Sequence, residues 1–267
     1  MNQSSPSLRV AISQISSEQR STDEALSLID KICAQAKAGH ADLVVFPEMA
    51  LTGYNIGQKA VRALAETSDG PMVQTLKETA RRNGIAIVCG FPQSHANRVF
   101  NACIFLDASG KTLAVCQKSQ LFGDVDRAQF DAADQLCPIV VFKGWKLGLG
   151  ICYDIEFPEI ARSLSRAGAD AILVPTANMH PYTSVATRIV QARAEENGVY
   201  LAYANRVGTE AEFEYFGLSC LIGPDGEDLV RAKDTPELIF ADMSKAHLEN
   251  VRRATPYLKD LRLDLYS

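Results

Sequence analysis

Ala38-Gly39-His40-Ala41-Asp42-Leu43-Val44-Val45-Phe46-Pro47 has an echo in Ala167-Gly168-Ala169-Asp170-Ala171-Ile172-Leu173-Val174-Pro175. In both, small residues and an aspartate lead into an unbroken apolar run that ends at proline. A run that is apolar at every position, and not only at alternate ones, suits a strand covered on both faces. Two further echoes keep the order: Asn83-Gly84-Ile85-Ala86-Ile87-Val88 with Asn197-Gly198-Val199-Tyr200-Leu201-Ala202, and Leu106-Asp107-Ala108-Ser109-Gly110-Lys111 with Ile222-Gly223-Pro224-Asp225-Gly226-Glu227. Turn pairs such as Asn-Gly and Asp-Gly recur in any α/β protein, so the shared order carries the reading. Each half reads as strand, helix, strand, helix and hairpin, which predicts two similar sheets with helices on one face of each. Helices are expected near 22–38, 71–82, 157–167 and 184–196. Strands are expected near 8–15, 42–46, 85–90, 98–106, 112–118, 139–142, 145–151, 170–174, 199–204, 216–223 and 228–232.

What stands at the strand ends matters most. Leu43 to Phe46 is followed by Pro47 and then Glu48; Thr112 to Lys118 closes on an amine; Trp145 to Ile151 closes on Cys152. Pro158-Glu159 opens an apolar-periodic helix just beyond, with proline and acid both suited to a first turn. A cysteine at such a junction projects from the rim of a sheet, near unpaired helix N–H groups that favour a thiolate. Cys152 therefore reads as a nucleophile. If the three strands lie near one another, an acid, an ammonium and a thiol converge.

These residues resemble the nitrilase superfamily of carbon-nitrogen hydrolases. The matching pieces are Phe46-Pro47-Glu48 with Gly53-Tyr54, Lys118 with Leu121-Phe122-Gly123, and Ile151-Cys152-Tyr153-Asp154 with Phe157-Pro158-Glu159. They stand in the family's order and spacing, from about Leu8 to the C-terminal region. The resemblance implies a four-layer α-β-β-α sandwich of two similar mixed sheets, with Glu48, Lys118 and Cys152 as a catalytic triad. No metal or organic cofactor is implied.

The chemistry follows from the groups. An amide carbon is a poor electrophile, and a thiolate attacks it better than water provided that something accepts the thiol's proton. Glu48, packed among Phe46, Pro47 and other apolar groups, is the expected base, with a raised pKa. Lys118 and the backbone N–H of Tyr153 are the expected donors to the oxyanion. The family carries a second glutamate after the lysine; the loop here, Lys118 to Phe130, has none. Asp126 is the expected substitute, ahead of Asp124. Gln120 stands where many members carry histidine, and no role for it is read.

Substrate choice rests on Tyr54, Glu156 and Asn178 as pocket positions. Glu156, Glu195 and Glu210-Ala211-Glu212-Phe213-Glu214 suit a substrate with a distant positive charge, unless they form a solvated acidic surface. Thr52-Gly53-Tyr54-Asn55-Ile56-Gly57, Ile155-Glu156-Phe157-Pro158-Glu159 and Pro175-Thr176-Ala177-Asn178-Met179 resemble short ω-amino amidases, the branch typified by 5-aminopentanamidase. The expected reaction is hydrolysis of a small aliphatic carboxamide, ω-amino by this resemblance, to acid and ammonia through a cysteine thioester. Nitrile or N-carbamoyl amide hydrolysis by the same triad is the enzymatic alternative. An inactive binding protein of the same fold is the non-enzymatic one.

Composition agrees with a cytoplasmic enzyme. With 267 residues, 47% of them hydrophobic and 22% charged, the chain can bury a large core as one domain. A net charge of −5 lacks the concentrated basic surface that nucleic-acid binding needs. Seven cysteines without a Cys-x-x-Cys make no disulfide framework, and Cys89 and Cys103 read as reduced core residues. His40, His95, His180 and His247 stand too far apart for a metal pair, although His180 falls in the loop expected to border the pocket. Met1 to Pro6 has no secretory pattern, and no run is long enough to span a membrane. The resemblance implies at least a homodimer, with about 255–267 extending to the partner subunit.

Overall fold

A computed structural model describes residues 7–265. The first half contains β1 (Ser7–Ser16), α1 (Thr22–Ala38), β2 (Leu43–Val45), α2 (Gln58–Leu64), α3 (Pro71–Asn83), β3 (Ala86–His95), β4 (Arg98–Leu106), β5 (Thr112–Gln117) and α4 (Gly123–Gln129). Local chemistry sets the long helices. Ser21 caps α1 by accepting from the Glu24 N–H, while the Glu24 carboxylate accepts from the Ser21 N–H. Pro71 opens α3, and left-handed Gly84 closes it.

The second half runs β6 (Val140–Phe142), β7 (Trp145–Leu149), a 3₁₀ turn (Cys152–Glu156), α5 (Pro158–Arg166), β8 (Ala171–Pro175), then a π turn (Val185–Ile189) entering α6 (Val190–Glu195). β9 (Tyr200–Ala204), β10 (Arg206–Glu210), β11 (Phe213–Phe216), β12 (Cys220–Ile222), β13 (Asp228–Arg231), β14 (Glu237–Ser244), α7 (Lys245–Ala254), α8 (Tyr257–Asp260) and a 3₁₀ turn (Leu263–Leu265) complete it.

The internal repeat is realised in strand pairing. β1-β2-β3-β4-β5 pair parallel, parallel, antiparallel, antiparallel. β7-β8-β9-β12-β13 pair in the same sequence of senses. Alternate residues of each covered strand face different layers, as the pleat dictates. Leu43 and Val45 of β2 pack into the core between the sheets with Ala171 and Leu173 of β8. Val44 faces α1 and α3, and Ile172 and Val174 face α5 and α6. The result is the four-layer α-β-β-α sandwich.

Three features depart from expectation. The strand expected over 216–223 is realised only as β12, because left-handed Gly217 and Leu218 carry the chain from the last residue of β11 in the first sheet to β12 in the second. The first sheet also gains β10, β11 and β14, none of them anticipated; β14 lies antiparallel to β1 from Ser7–Ser244 to Gln14–Glu237. Cys116 and Cys137 form a disulfide with Cα atoms 5.3 Å apart, whereas the five other cysteines are free and buried. Among the described residues no helix is long and apolar enough to cross a membrane. Residues 1–6, from which no secretory pattern was read, and 266–267, the end of the expected C-terminal extension, lie outside the described ones.

Gly90 of β3 shows how closely this architecture holds the turn after β2. A Cβ there would overlap the backbone nitrogen of Met49 and come within 2.8 Å of the Glu48 Cα and the Pro47 carbonyl oxygen. Gly90→Ala is expected to lower stability by about 1–3 kcal/mol and to displace Glu48, read as a lower urea midpoint together with reduced turnover.

Candidate active site

β2, β3 and β5 run in the same direction within the first sheet, so the residues following β2 and β5 emerge at one edge. Lys118 Nζ donates to Glu48 Oε1 at 2.8 Å and to Asp126 Oδ2 at 2.7 Å, with all three side chains fully buried. Asp126, on α4, also accepts from the Phe122 N–H at 2.8 Å. Asp124 is exposed, so Asp126 is the acid that the structure brings to the lysine. Glu48 Oε1 receives a second donor, the Asn101 side-chain amide, at 2.6 Å. Glu48 Oε2 has no hydrogen-bond partner among the described residues.

Cys152 comes from the facing sheet, at the end of β7, and its thiol interacts with the Glu48 carboxylate. Its φ is +49°, a left-handed conformation that costs a residue with a Cβ about 1–2 kcal/mol. Asp154 holds this strained turn. Its Oδ2 accepts from the Ile151 N–H at 3.0 Å; its Oδ1 accepts from the N–H and hydroxyl of Ser119 and from the Gln120 N–H. One buried carboxylate thus staples the cysteine turn to the residues after Lys118. Of the three expected triad members, Cys152 is the most accessible, at 8% against 0% for Glu48 and 1% for Lys118.

A family model described as carbon-nitrogen hydrolase matches residues 9–253. The chain belongs to the carbon-nitrogen hydrolase family. A Pseudomonas protegens protein named as a hydrolase in the pqqF 5′ region is 46% identical over 231 residues, covering 86% of this chain and 81% of its own. An (R)-stereoselective amidase from a Pseudomonas species is 35% identical, covering 85% and 82%. An amidase from Nesterenkonia sp. has a solved structure that matches with a TM-score of 0.84 at 32% identity, covering 97% of this chain and 95% of that one. That amidase has also been solved with butyramide, and with acrylamide added at its active site cysteine.

The electrostatics of this carbon-nitrogen hydrolase refine the expected charges. Burial pushes the Cys152 thiol well up, the Glu48 charge adds to this, and neither Lys118 nor the Ala177 N–H on the sulfur offsets it. Burial thus favours the thiol over the thiolate, against the pull of the helix N–H groups. Desolvation outweighs that favourable field. Burial also raises Glu48, with Asp126 adding to the effect and Lys118 opposing it. For Lys118, burial opposes the ammonium, but the charges of Asp126 and Glu48 outweigh it and hold the pKa well above the ordinary lysine value.

The other expected positions divide. Tyr54 is buried with its ring 5.6 Å from Lys118 Nζ. Tyr153 follows Cys152 in the 3₁₀ turn, where first-turn N–H groups have no partner within the turn, and its ring packs edge-on against Phe122 and Phe157. Glu156 is half-buried; desolvation lifts its carboxyl to about 7 despite the opposing charges of Lys118 and Arg193. Asn178 is engaged elsewhere: its amide donates to the Tyr203 hydroxyl at 3.0 Å and accepts from the Met179 N–H at 2.9 Å. His180 is exposed and packs edge-on against Phe216. Among the described residues no cluster of three or more His, Cys, Asp or Glu side chains could hold a metal ion.

Sequence reasoning missed Asn101, Arg206 and the part played by Glu210. Asn101 is the polar residue within the otherwise apolar stretch Val99 to Leu106 of β4, and that contrast was the available signal. Arg206 is buried and donates to the Glu48 carbonyl at 3.1 Å and the Met49 carbonyl at 2.5 Å, fixing the backbone that presents the acid. Glu210, read as part of an acidic stretch, accepts from the N–H groups of Tyr54 and Asn55 and from the Tyr215 hydroxyl. It braces the Tyr54 loop.

Lys118→Met would leave Glu48 and Asp126 as two carboxylates buried without their cation, a loss of about 3–5 kcal/mol by the usual cost of breaking a buried pair. Proton uptake by Glu48, whose pKa is already raised, relieves this loss, so the deficit grows as pH rises and shrinks as pH falls. Urea unfolding at several pH values measures it.

Proposed function

We propose that this enzyme hydrolyses a small aliphatic carboxamide bearing an ω-amino group to the carboxylic acid and ammonia, through a thioester on Cys152. The observation that carries the reading is a buried glutamate with one saturated and one unpartnered oxygen, beside a neutral thiol and a fixed ammonium. Glu48 takes the thiol proton as sulfur attacks the carbonyl carbon. Negative charge then develops on the substrate oxygen, where the Lys118 ammonium and the Tyr153 N–H stabilise it. Glu48 returns the proton to the departing nitrogen, the C–N bond breaks, and ammonia leaves a thioester. Glu48 next deprotonates a water that attacks this thioester, releasing the acid and restoring the thiol. Asp126 keeps Lys118 charged and in place throughout.

The amidase names of the relatives and of the Nesterenkonia structures favour an amide over a nitrile. Glu156 supports a cationic tail. It lies four residues after Cys152 and close enough for its charge to act on that thiol, and its side chain forms no ion pair within 4.0 Å among the described residues. The exposed apolar side chains of Tyr257, Leu263 and Leu265 support assembly into at least a dimer, read here as a cytoplasmic one. Light scattering at twice the chain mass or more tests that state.

Ammonia release from a panel of ω-amino amides, neutral amides, nitriles and ureido acids tests the reaction. Cys152→Ala is expected to be inactive, and Glu48→Gln to lose about 10²–10⁴-fold in kcat. Turnover of nitriles with none of any amide would overturn the reading. Because Glu156 is raised to about 7, it is neutral below that pH and anionic above it. The preference for an ω-amino amide over a neutral one, as a ratio of kcat/KM, should rise about tenfold from pH 6 to pH 8, roughly 1.4 kcal/mol. In Glu156→Gln the ratio should stay flat.

A further inference from the structure

Asn101 contacts both ends of the Glu48–Lys118 pair. Its side-chain amide donates to Glu48 Oε1 at 2.6 Å, and its backbone carbonyl accepts from the Lys118 N–H at 2.8 Å. The opposite orientation of the amide would set two oxygens against each other at that distance, so the nitrogen faces the carboxylate. Asn101 is fully buried, and its Oδ1 has no partner among the described residues. Asn197, also buried, leaves its Oδ1 unpartnered too but spends its donor on a helix carbonyl, whereas Asn101 directs its donor at a buried carboxylate of the site.

Lys118 Nζ donates to the same carboxylate oxygen. With two donors on Oε1, Oε2 is left as the lone-pair site able to take a proton. Without Asn101 the terminal torsion of Glu48, which is broad and roughly two-fold, would be steered by Lys118 alone. We propose that Asn101 is a positioning residue for the base: it saturates one oxygen of Glu48 and aims the other at the thiol of Cys152. This rests on Glu48 being the base.

A hydrogen bond donated to a carboxylate favours its charged form, so loss of the Asn101 donor should move the acidic limb of the rate profile to higher pH. The titratable groups facing Glu48 are Lys118 after β5, Asp126 on α4, Tyr54 in the loop after β2 and Cys152 in the 3₁₀ turn, with Cys103 on β4 and Tyr215 on β11 also acting electrostatically with it. Arg206 holds its backbone. None of these is altered by substitution of Asn101.

Asn101→Leu tests the proposal, since leucine has nearly the same volume and neither the donor nor the orphaned acceptor. The expected result is a kcat about 10–100-fold lower, a KM changed less than about threefold, an acidic limb displaced upward, and a melting temperature at or above that of the parent. A lower melting temperature with kcat and pH profile unchanged would show a purely architectural asparagine and overturn the inference. Asn101→Ser, smaller than the native residue, carries the same readouts if the leucine variant does not fold. Glu48→Gln is measured in parallel. If it keeps its activity, the base assignment itself fails; if it is inactive while Asn101→Leu retains the parent's kcat and profile, only the role of Asn101 falls.

Discussion

A single ammonium held between two carboxylates, with all three side chains out of reach of water, is the constraint around which the rest is built. Desolvating three charges is costly, and the mutual attraction repays that cost only where the geometry is good and the remaining lone pairs find donors. Here Asn101 donates to Glu48, the Phe122 N–H donates to Asp126, and Arg206 fixes the carbonyls of Glu48 and Met49. Among the described residues three oxygens around the ammonium find no donor, Glu48 Oε2, Asp126 Oδ1 and Asn101 Oδ1, and the first belongs to the carboxylate that interacts with the Cys152 thiol.

The repeated half-fold explains how such a cluster can be assembled. Parallel strands bring their C-terminal ends to one edge, so the residues after β2 and β5 are delivered together without any local sequence relation between them. Stacking a second copy of the unit face to face places the end of β7 opposite that edge. The remaining freedom is removed by close contacts: the absent side chain of Gly90 admits the Met49 backbone, and Asp154 ties the left-handed cysteine turn to Ser119 and Gln120. Burial then sets the resting charges, with a thiol at Cys152 and an ammonium at Lys118.

Much of this was legible in the chain. The apolar runs at 43–46 and 171–174 and their shared flanking pattern pointed to paired, doubly covered strands, and the groups closing three strands pointed to the site. Asp126 was legible only as one of two aspartates in a short loop, because a seven-residue helix decides which of them faces inward. The 216–223 segment misled because its local pattern is that of one strand; the crossing at Gly217–Leu218 is a consequence of which sheet each end joins. Glu210 looked like surface charge, yet it is bound to backbone N–H groups more than 150 residues away in the chain.

The sequence alone determined what depends on neighbours along the chain: strand and helix periodicity, the caps of α1 and α3, the order of the halves, and which reactive group ends each strand. Tertiary structure alone decided what depends on groups distant in the chain and on exclusion of water. That includes the sharing of Lys118 by Glu48 and Asp126, the protonated state of Cys152, the recruitment of Asn101 and Arg206, and the exchange of strands between the sheets. The division is physical, since dihedral preferences and side-chain alternation act over a few residues, while desolvation and charge pairing exist only once remote segments have closed around one another.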